Sequence, residues 1–357
     1  MGFDCVAITG GAGFVGSSLA LALRREGTSR VVAVDSLKRR GSELNLSRLH
    51  AAGVEFLHAD VRCPEDLDAL PEYDLLIDCS AEPSVHAGMS GSARYLLNTN
   101  LQGTINCLEA VRARGAAFLF LSTSRVYPMA SLNSLPFEES DTRFRWVDQG
   151  MPRDGFSSRG IGESYSLTGA RSLYGASKLA GELLVEEFVH AYGLRALINR
   201  CGVLAGPWQL GKVDQGVVAL WVARHYFGVP LKYIGYGGTG KQVRDMLHVE
   251  DLYDLVARQM QRPEVWDGRI YNVGGGLETS ASLLELTGLC RDVTGREVPI
   301  SAVPETHAVD LRIYVTDADK VQRDFGWRPQ RSVRKIVEDV QGWLIEKREE
   351  LHRIFVG

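Results

Sequence analysis

The sequence predicts an α/β fold, a doubly wound parallel sheet with a smaller C-terminal lobe, and three observations carry that expectation. Short apolar runs at 6–9, 31–35, 54–58, 75–79 and 118–121 alternate with longer amphipathic stretches, the pattern of parallel strands joined by helices on both faces of a sheet. The first run feeds directly into Gly10-Gly11-Ala12-Gly13-Phe14-Val15-Gly16. After about residue 201 the character changes to glycine- and aromatic-rich loops, short strands and three further helices near 250–262, 282–294 and 331–347.

Each element has its own signal. Gly10, Gly13 and Gly16 follow a strand and precede a helix with apolar residues Phe14, Val15, Leu19, Leu21 and Leu23. That is the setting of a phosphate-binding Rossmann turn, where helix N-terminal N–H groups face a pyrophosphate. The second run ends in Asp35, an acid placed to accept both adenosine ribose hydroxyls and to repel a 2′-phosphate. The cofactor expected is therefore NAD, with Ser36 beside Asp35, although Lys38, Arg39 and Arg40 keep NADP open. Clear helices are expected over 95–114 and after Leu173, the latter presenting Tyr174, Leu179, Leu183, Leu184 and Phe188. A strand at 196–198 leads to Arg200. Residues 128–173 are rich in Ser, Gly, Arg and Glu with weak periodicity, and so long a loop is usually functional or disordered.

Composition excludes several classes. The net charge is −4 with the signs well mixed and no basic stripe, so no nucleic-acid partner is expected. No apolar run approaches the ~20 residues of a membrane span, and the first strand starts too near Met1 for a signal peptide. The six cysteines lack a C-x-x-C pair and read as buried free thiols, which with the other features predicts a soluble cytoplasmic protein. The eight histidines show no metal-ligand spacing, and no metal is expected.

The chemistry gathers around Tyr174-Gly175-Ala176-Ser177-Lys178. On a helix Lys178 lies on the face of Tyr174, and an ammonium beside a phenol favours the phenolate, a general base. Ser122-Thr123-Ser124 ends the preceding strand, where an open α/β sheet presents side chains to its ligand crevice. A hydroxyl there can hydrogen-bond the oxygen that Tyr174 deprotonates, giving a site that moves a hydride and a proton between an alcohol and a nicotinamide ring.

With these motifs the whole chain resembles the extended short-chain dehydrogenase/reductase family, the NAD-dependent nucleotide-sugar epimerases and dehydratases. The resemblance implies that Thr123, Tyr174 and Lys178 are catalytic, with Lys178 also on the nicotinamide ribose. It puts Asp60 and Val61 near adenine, Ser80, Ala81 and Glu82 at the end of the fourth strand beside the cofactor, and Asn100 on the next helix. Arg200 is assigned to the cofactor as well. Residues 1–200 then form the NAD domain, and 201–357 are mainly the nucleotide-sugar lobe. Arg244 and Arg312 look like a diphosphate clamp, a role suited to a planar guanidinium. The resemblance also implies a homodimer built by pairing helices 95–114 and 174–192.

Thr142-Arg143-Phe144, Asp214-Gln215-Gly216, the run from Gly240 to Asp245 and that from Asp310 to Val315 are similar to the branch acting at C2 of CDP-sugars. A CDP-sugar substrate is the favoured expectation, with Ser124, Arg125, Gln209, Asp214, Gln215, Arg244 and Arg312 lining its pocket. Ala205, Leu173 and Glu82 depart from that branch's usual residues. Competing readings are C4 epimerisation of a UDP- or other NDP-hexose, a 4,6-dehydratase, an NAD(P)-linked sugar dehydrogenase or reductase, and a silent NAD-sensing scaffold. Ser124-Arg125 stand where a dehydratase needs an acid pair, and both Tyr174 and Lys178 are present, which argues against elimination and against a silent scaffold.

Overall fold

The structure, a computed structural model, describes residues 2–89, 91–147, 154–211 and 216–356. Its centre is a seven-stranded sheet, parallel at every pairing, built from Cys5–Thr9, Arg30–Asp35, Glu55–His58, Leu75–Asp78, Ala117–Thr123, Ala196–Cys201 and Asp267–Val273. Named by first residue, the order across the sheet is Asp267, Ala196, Ala117, Leu75, Cys5, Arg30, Glu55. Because Cys5–Thr9 has the second strand on one side and the fourth on the other, the connections part there. The crevice at the carboxyl ends of those strands is where such sheets take ligands.

Alternation along each strand sorts side chains into two layers. Val6, Ile8, Val31, Ala33, Leu75, Ile77 and Leu119 pack on one face with residues of the helices Phe14–Arg25 and Val249–Met260. Ala7, Val32, Val34, Leu76, Phe118, Phe120 and Ile198 pack on the other with Cys107, Leu108, Val111 and Val185 of the helices Gly103–Arg114 and Leu173–Tyr192. Both faces being covered, the strands read as continuous apolar runs. The helix expected over 95–114 is continuous through one π turn, Asn98–Gln102, between Arg94–Leu97 and Gly103–Arg114.

The chain crosses the boundary expected near residue 200. Asp267–Val273 returns to the main sheet as its edge strand, and Val249–Met260 and Asp319–Phe325 pack into the same core with Trp266 and Trp327. The second lobe gathers Val217–Phe227, Leu283–Thr294 and Val333–Glu346 around Trp221, Leu286, Ile336 and Trp343. Beside them the strand Val243–His248 pairs with Val203–Ala205, Ser280–Ser282 and Ile313–Tyr314.

Where the sequence offers only a long loop, the described part of 128–173 holds a short helix, Met129–Asn133, and two hairpins, Phe137–Glu139 with Phe144–Trp146 and Phe156–Ser157 with Gly160–Ile161. Its apolar anchors Leu132, Leu135, Phe144, Ile161 and Tyr165 are scattered rather than periodic and pack on Leu311, Ile313 and Tyr314, and polar bonds add to them. Arg143 pairs with Glu285 at the start of a second-lobe helix, Thr142 Oγ1 donates to Glu285 Oε1 at 2.8 Å, and Phe144 N donates to Lys241 O at 3.0 Å.

Among the described residues no disulfide forms; Cys107, Cys201 and Cys290 are buried while Cys63 is exposed. No helix among them is long and apolar enough to cross a membrane. No group of three or more His, Cys, Asp or Glu among them could hold a metal ion.

Candidate active site

A cleft of about 400 Å³ runs along the carboxyl ends of the strands. The glycine turn forms its floor. Gly10 has φ 64, and a Cβ on it would lie 2.7 Å from Cys79 O, while one on Gly16 would collide with Gly10 O. Only glycine lets the turn fold this tightly against the fourth strand. Gly13 N donates to Gly10 O at 2.9 Å, and the helix Phe14–Arg25 starts at once. Gly10, Gly13, Phe14, Val15 and Gly16 all line the cleft. So do Asp35, Ser36, Asp60, Val61, Ser80 and Ala81.

Asp35 is fixed by two backbone donors, Ala12 N to Oδ2 at 3.1 Å and Leu37 N to Oδ1 at 2.8 Å. Burial raises its carboxyl above the usual range, and those bonds pull the other way. Asp60 is paired with Arg62 at 2.5 Å, which holds its carboxyl low. A backbone cradle that a Cβ would fill, followed by an acid at the end of the second strand, fits an NAD pyrophosphate and adenosine ribose.

Thr123, Tyr174 and Lys178 all line this cleft. Ser172 Oγ accepts from Gly175 N at 3.2 Å and caps the helix, placing Tyr174 in its first turn. A Cβ on Gly175 would collide with Arg125 O, so glycine lets the helix start against the strand end that carries Thr123. The sequence led us to expect a Tyr174 pKa lowered toward the working range. Burial instead pushes the phenol up to about 12, and the groups that favour the phenolate are the Thr123 hydroxyl and the field of Arg125, in place of the Lys178 ammonium that the spacing suggests. Lys178 is buried, its Nζ 4.1 Å from the Phe120 ring centroid. Burial pulls its pKa down and the field of Asp78 supports its charge. Asp78 in turn accepts from Thr9 Oγ1 at 2.7 Å and Ser80 N at 3.0 Å.

Several expected residues lie outside the cleft lining. Arg200 is the main correction. The strand register sets Cys201 beside Thr123 and Arg200 beside Ser122; Cys201, Thr123 and Ser122 line the cleft, whereas Arg200 is turned toward the helix Leu173–Tyr192 and does not. There Arg200 Nη2 meets Glu182 Oε2 at 2.7 Å with both side chains at most 3% exposed, Nη1 donates to Tyr127 OH at 3.1 Å, and Ser122 Oγ donates to the same Glu182. Glu182 lies one turn beyond Lys178, so Arg200 braces the helix that carries Tyr174. Glu82 and Asn100 are likewise supports. Glu82 N donates to Asn100 Oδ1 at 2.7 Å, Asn100 Nδ2 donates to Glu82 O at 3.1 Å and to Ser177 Oγ at 3.2 Å. This ties the loop bearing Ser80 and Ala81 to the Tyr174 helix.

On the substrate side Ser124, Arg125 and Gln209 line the cleft, and Arg244 and Arg312 do not. Arg244 Nη2 pairs with Asp310 Oδ1 at 3.0 Å, and Arg312 Cζ stacks 3.8 Å from the Phe137 ring centroid with Tyr236 at 5.4 Å. Arg125 faces the cavity with one guanidinium acceptor among the described residues, Val309 O at 3.2 Å. Burial and the neighbouring Arg244 pull its pKa down to about 10. Asp214 and Gln215 lie outside the described residues.

Sequence reasoning missed Tyr95, Cys201 to Leu204, Trp208 and Leu210 in the lining. The rule that strand carboxyl ends face the ligand would have found 201–204, since they follow directly from the strand Ala196–Cys201. Nothing in the sequence marks Trp208.

Residues 6–274 match the NAD dependent epimerase/dehydratase family. The chain belongs to that family. It is 30% identical to the CDP-paratose 2-epimerase of Salmonella typhi, over 94% of this chain and 98% of that protein. It is also 27% identical to the dTDP-glucose 4,6-dehydratase of Escherichia coli, over 99% and 96% of the two chains. The solved UDP-glucose 4-epimerase of Thermus thermophilus, in complex with NAD, superposes with a TM-score of 0.74 at 25% identity, covering 96% of this chain and 99% of that one. Membership makes NAD the cofactor, and the family's relatives act on nucleotide sugars under both reaction names.

Proposed function

We propose that this family member epimerises a nucleotide-linked sugar through a transient keto form, with C2 of a CDP-linked deoxyhexose as the favoured site. The observation that carries the reading is the trio Thr123, Tyr174 and Lys178 in a cleft whose only carboxylates among the described lining residues are Asp35 and Asp60. Both belong to the ends of the second and third strands, on the cofactor side. Elimination of water needs an acid and a base at the sugar, and the residues that follow Thr123 are Ser124 and Arg125.

NAD, when bound, supplies a hydride acceptor able to give the same hydride back. The protein's part is proton handling and positioning. Tyr174 as phenolate takes the proton of the reacting hydroxyl and later returns it. Thr123 donates a hydrogen bond to the same oxygen, and Lys178 holds positive charge at the buried end of the site. Arg125, two residues beyond Thr123, is a cleft cation placed for a sugar or phosphate oxygen. The likeness to CDP-paratose 2-epimerase supports the CDP-sugar and C2. Exposed apolar side chains on the helices Arg94–Leu97 and Leu173–Tyr192, with Leu97 at 37%, Leu183 at 56% and Tyr192 at 57% exposure, support a two-fold pair, which light scattering at micromolar concentration tests.

The decisive experiment uses substrate deuterated at the reacting carbon. The product keeps that deuterium, and reaction in D₂O places none on carbon. Solvent deuterium on carbon would mean carbanion chemistry, and label lost to free cofactor would mean a dehydrogenase.

A further inference from the structure

A short segment of the second lobe lies across the cofactor side of the cleft. Following the strand Val203–Ala205, Gly206-Pro207-Trp208-Gln209-Leu210 turns back over the first lobe. Its near end rests on the glycine turn, where a Cβ on Gly206 would sit 3.7 Å from Phe14 Cε2. Its far end reaches the stretch that follows Asp35. Arg39 Nη2 donates to Leu210 O at 3.1 Å, and the Leu210 side chain fills the space beside Gly41, where any Cβ would collide with it. Trp208, Gln209 and Leu210 line the same cleft as Asp35, Ser36 and Ser42.

The middle of the segment is strained. Trp208 has φ 68, one of three non-glycine residues with positive φ among those described. Pro207 followed by a residue at positive φ is the signature of a turn that favours glycine there. The chain puts its largest side chain in that place instead, and an outlier of this kind marks a function when its surroundings hold it. The surroundings do hold it. Arg48 of the helix Leu46–Ala51 stacks on the Trp208 ring at 4.3 Å, and Trp343 of the helix Val333–Glu346 packs on it at 5.8 Å. Arg48 meets no carboxylate in an ion pair among the described residues; its Nη1 donates to Asn45 Oδ1 at 3.1 Å. Asn45 Nδ2 donates on to Ala12 O at 2.8 Å, inside the glycine turn. Burial pulls the Arg48 pKa down to about 10.

We infer that residues 206–210 are a strap, latched by Arg48 on Trp208 and by Arg39 and Gly41 on Leu210, that closes the adenosine side of the cleft over NAD and makes the cofactor resident. The strap rests on NAD being the cofactor and not on which sugar reaction follows. A redox cycle that closes on itself has no use for cofactor exchange, whereas a dehydrogenase must release its cofactor each turnover. Arg48 acts here through Trp208 and is a positioning residue, since it does not line the cleft.

The test is a chase. Radiolabelled NAD is loaded on the full-length protein, excess unlabelled NAD is added, and retained label is followed by rapid gel filtration. Arg48→Ala is expected to release label about 2- to 30-fold faster, the range of a cation–π contact partly removed from water. Trp208→Gly, which suits the positive φ and removes the ring, releases it faster still. The double variant releases no faster than Trp208→Gly alone, because a latch acting through the ring is not additive with its loss. Leu210→Ala, which keeps the turn and trims only the far anchor, gives an intermediate rate and serves should Trp208→Gly fold poorly. Retention equal to the wild type in Arg48→Ala and Leu210→Ala, or strictly additive effects of Arg48 and Trp208, overturns the strap. Loss of sugar epimerisation with label retention ranked as stated would overturn the proposed reaction and leave the strap standing.

Discussion

Replacing Arg200 with leucine separates a brace from a cofactor ligand. Arg200 and Glu182 meet at 2.7 Å with side chains 3% and 1% exposed, and Glu182 also receives Ser122 Oγ. The leucine leaves the buried Glu182 carboxyl with only that hydroxyl as a hydrogen-bond partner and frees the Tyr127 phenol of its guanidinium donor. Removing one partner of a buried pair typically costs about 3–5 kcal/mol, mostly the penalty of the stranded charge. Urea unfolding should therefore show a loss of that order, insensitive to salt because the pair is shielded from solvent ions. Arg200→Leu combined with Glu182→Leu should recover part of it, since no charge is then left unpaired. NAD affinity of the folded protein should stay near the wild-type value, because Arg200 does not line the cleft. Weakened NAD binding with undiminished stability would refute this placement and return Arg200 to the cofactor.

Tyr174→Phe should abolish turnover while NAD stays bound, as the change removes the proton acceptor and little packing. Thr123→Val should cost about 10²–10³ in rate, the loss of one positioned donor in a shielded site; near-normal rates in either variant argue against the mechanism. The phenol stands at about 12 before cofactor binds, with the field of Arg125 favouring the phenolate. The base form therefore grows as pH rises, and Arg125→Gln should move the rising limb of the pH–rate profile to higher pH. Arg125→Lys should bring it back, and an unmoved limb removes Arg125 from the base's environment. Asp35→Ala should weaken NAD retention and admit NADP, since Asp35 is the acid at the end of the second strand and Arg39 lines the same cleft. Preference for NADP in the unmutated protein would refute the reading of Asp35.

What could be read from the sequence, and what could not, follows from the range of the forces involved. Central strands announce themselves because each is buried on both faces, so Val31 to Val34 or Phe118 to Leu121 need no partner to be recognised. The edge strand Asp267–Val273 begins with Asp267 and Gly268 and takes Asn272 into the core, where its amide meets Tyr127 OH at 2.8 Å and Ile161 O at 2.9 Å. Those partners are more than a hundred residues away in the chain, and no local pattern contains them. Arg200 failed for a related reason. Alternation alone divides Ala196–Cys201 into two sets, but only the buried partner of Arg200, Glu182 on the helix Leu173–Tyr192, says that its side chain is turned away from the crevice. The proposed catalytic trio could be picked out because its spacing is local at Tyr174 and Lys178 and its third member sits at a strand end, and all three line the cleft. Trp208 was not, and the cause is instructive. Its conformation runs against the local preference of its own residue type, held by Arg48, Trp343 and Leu210's anchor at Gly41, all distant in sequence. Places where a chain overrides local preference are where function is expected to reside. The Trp208 ring packs on the second-lobe core at Trp343 and also lines the cofactor cleft, so the strained residue ties the wall of the cleft to the fold beneath it.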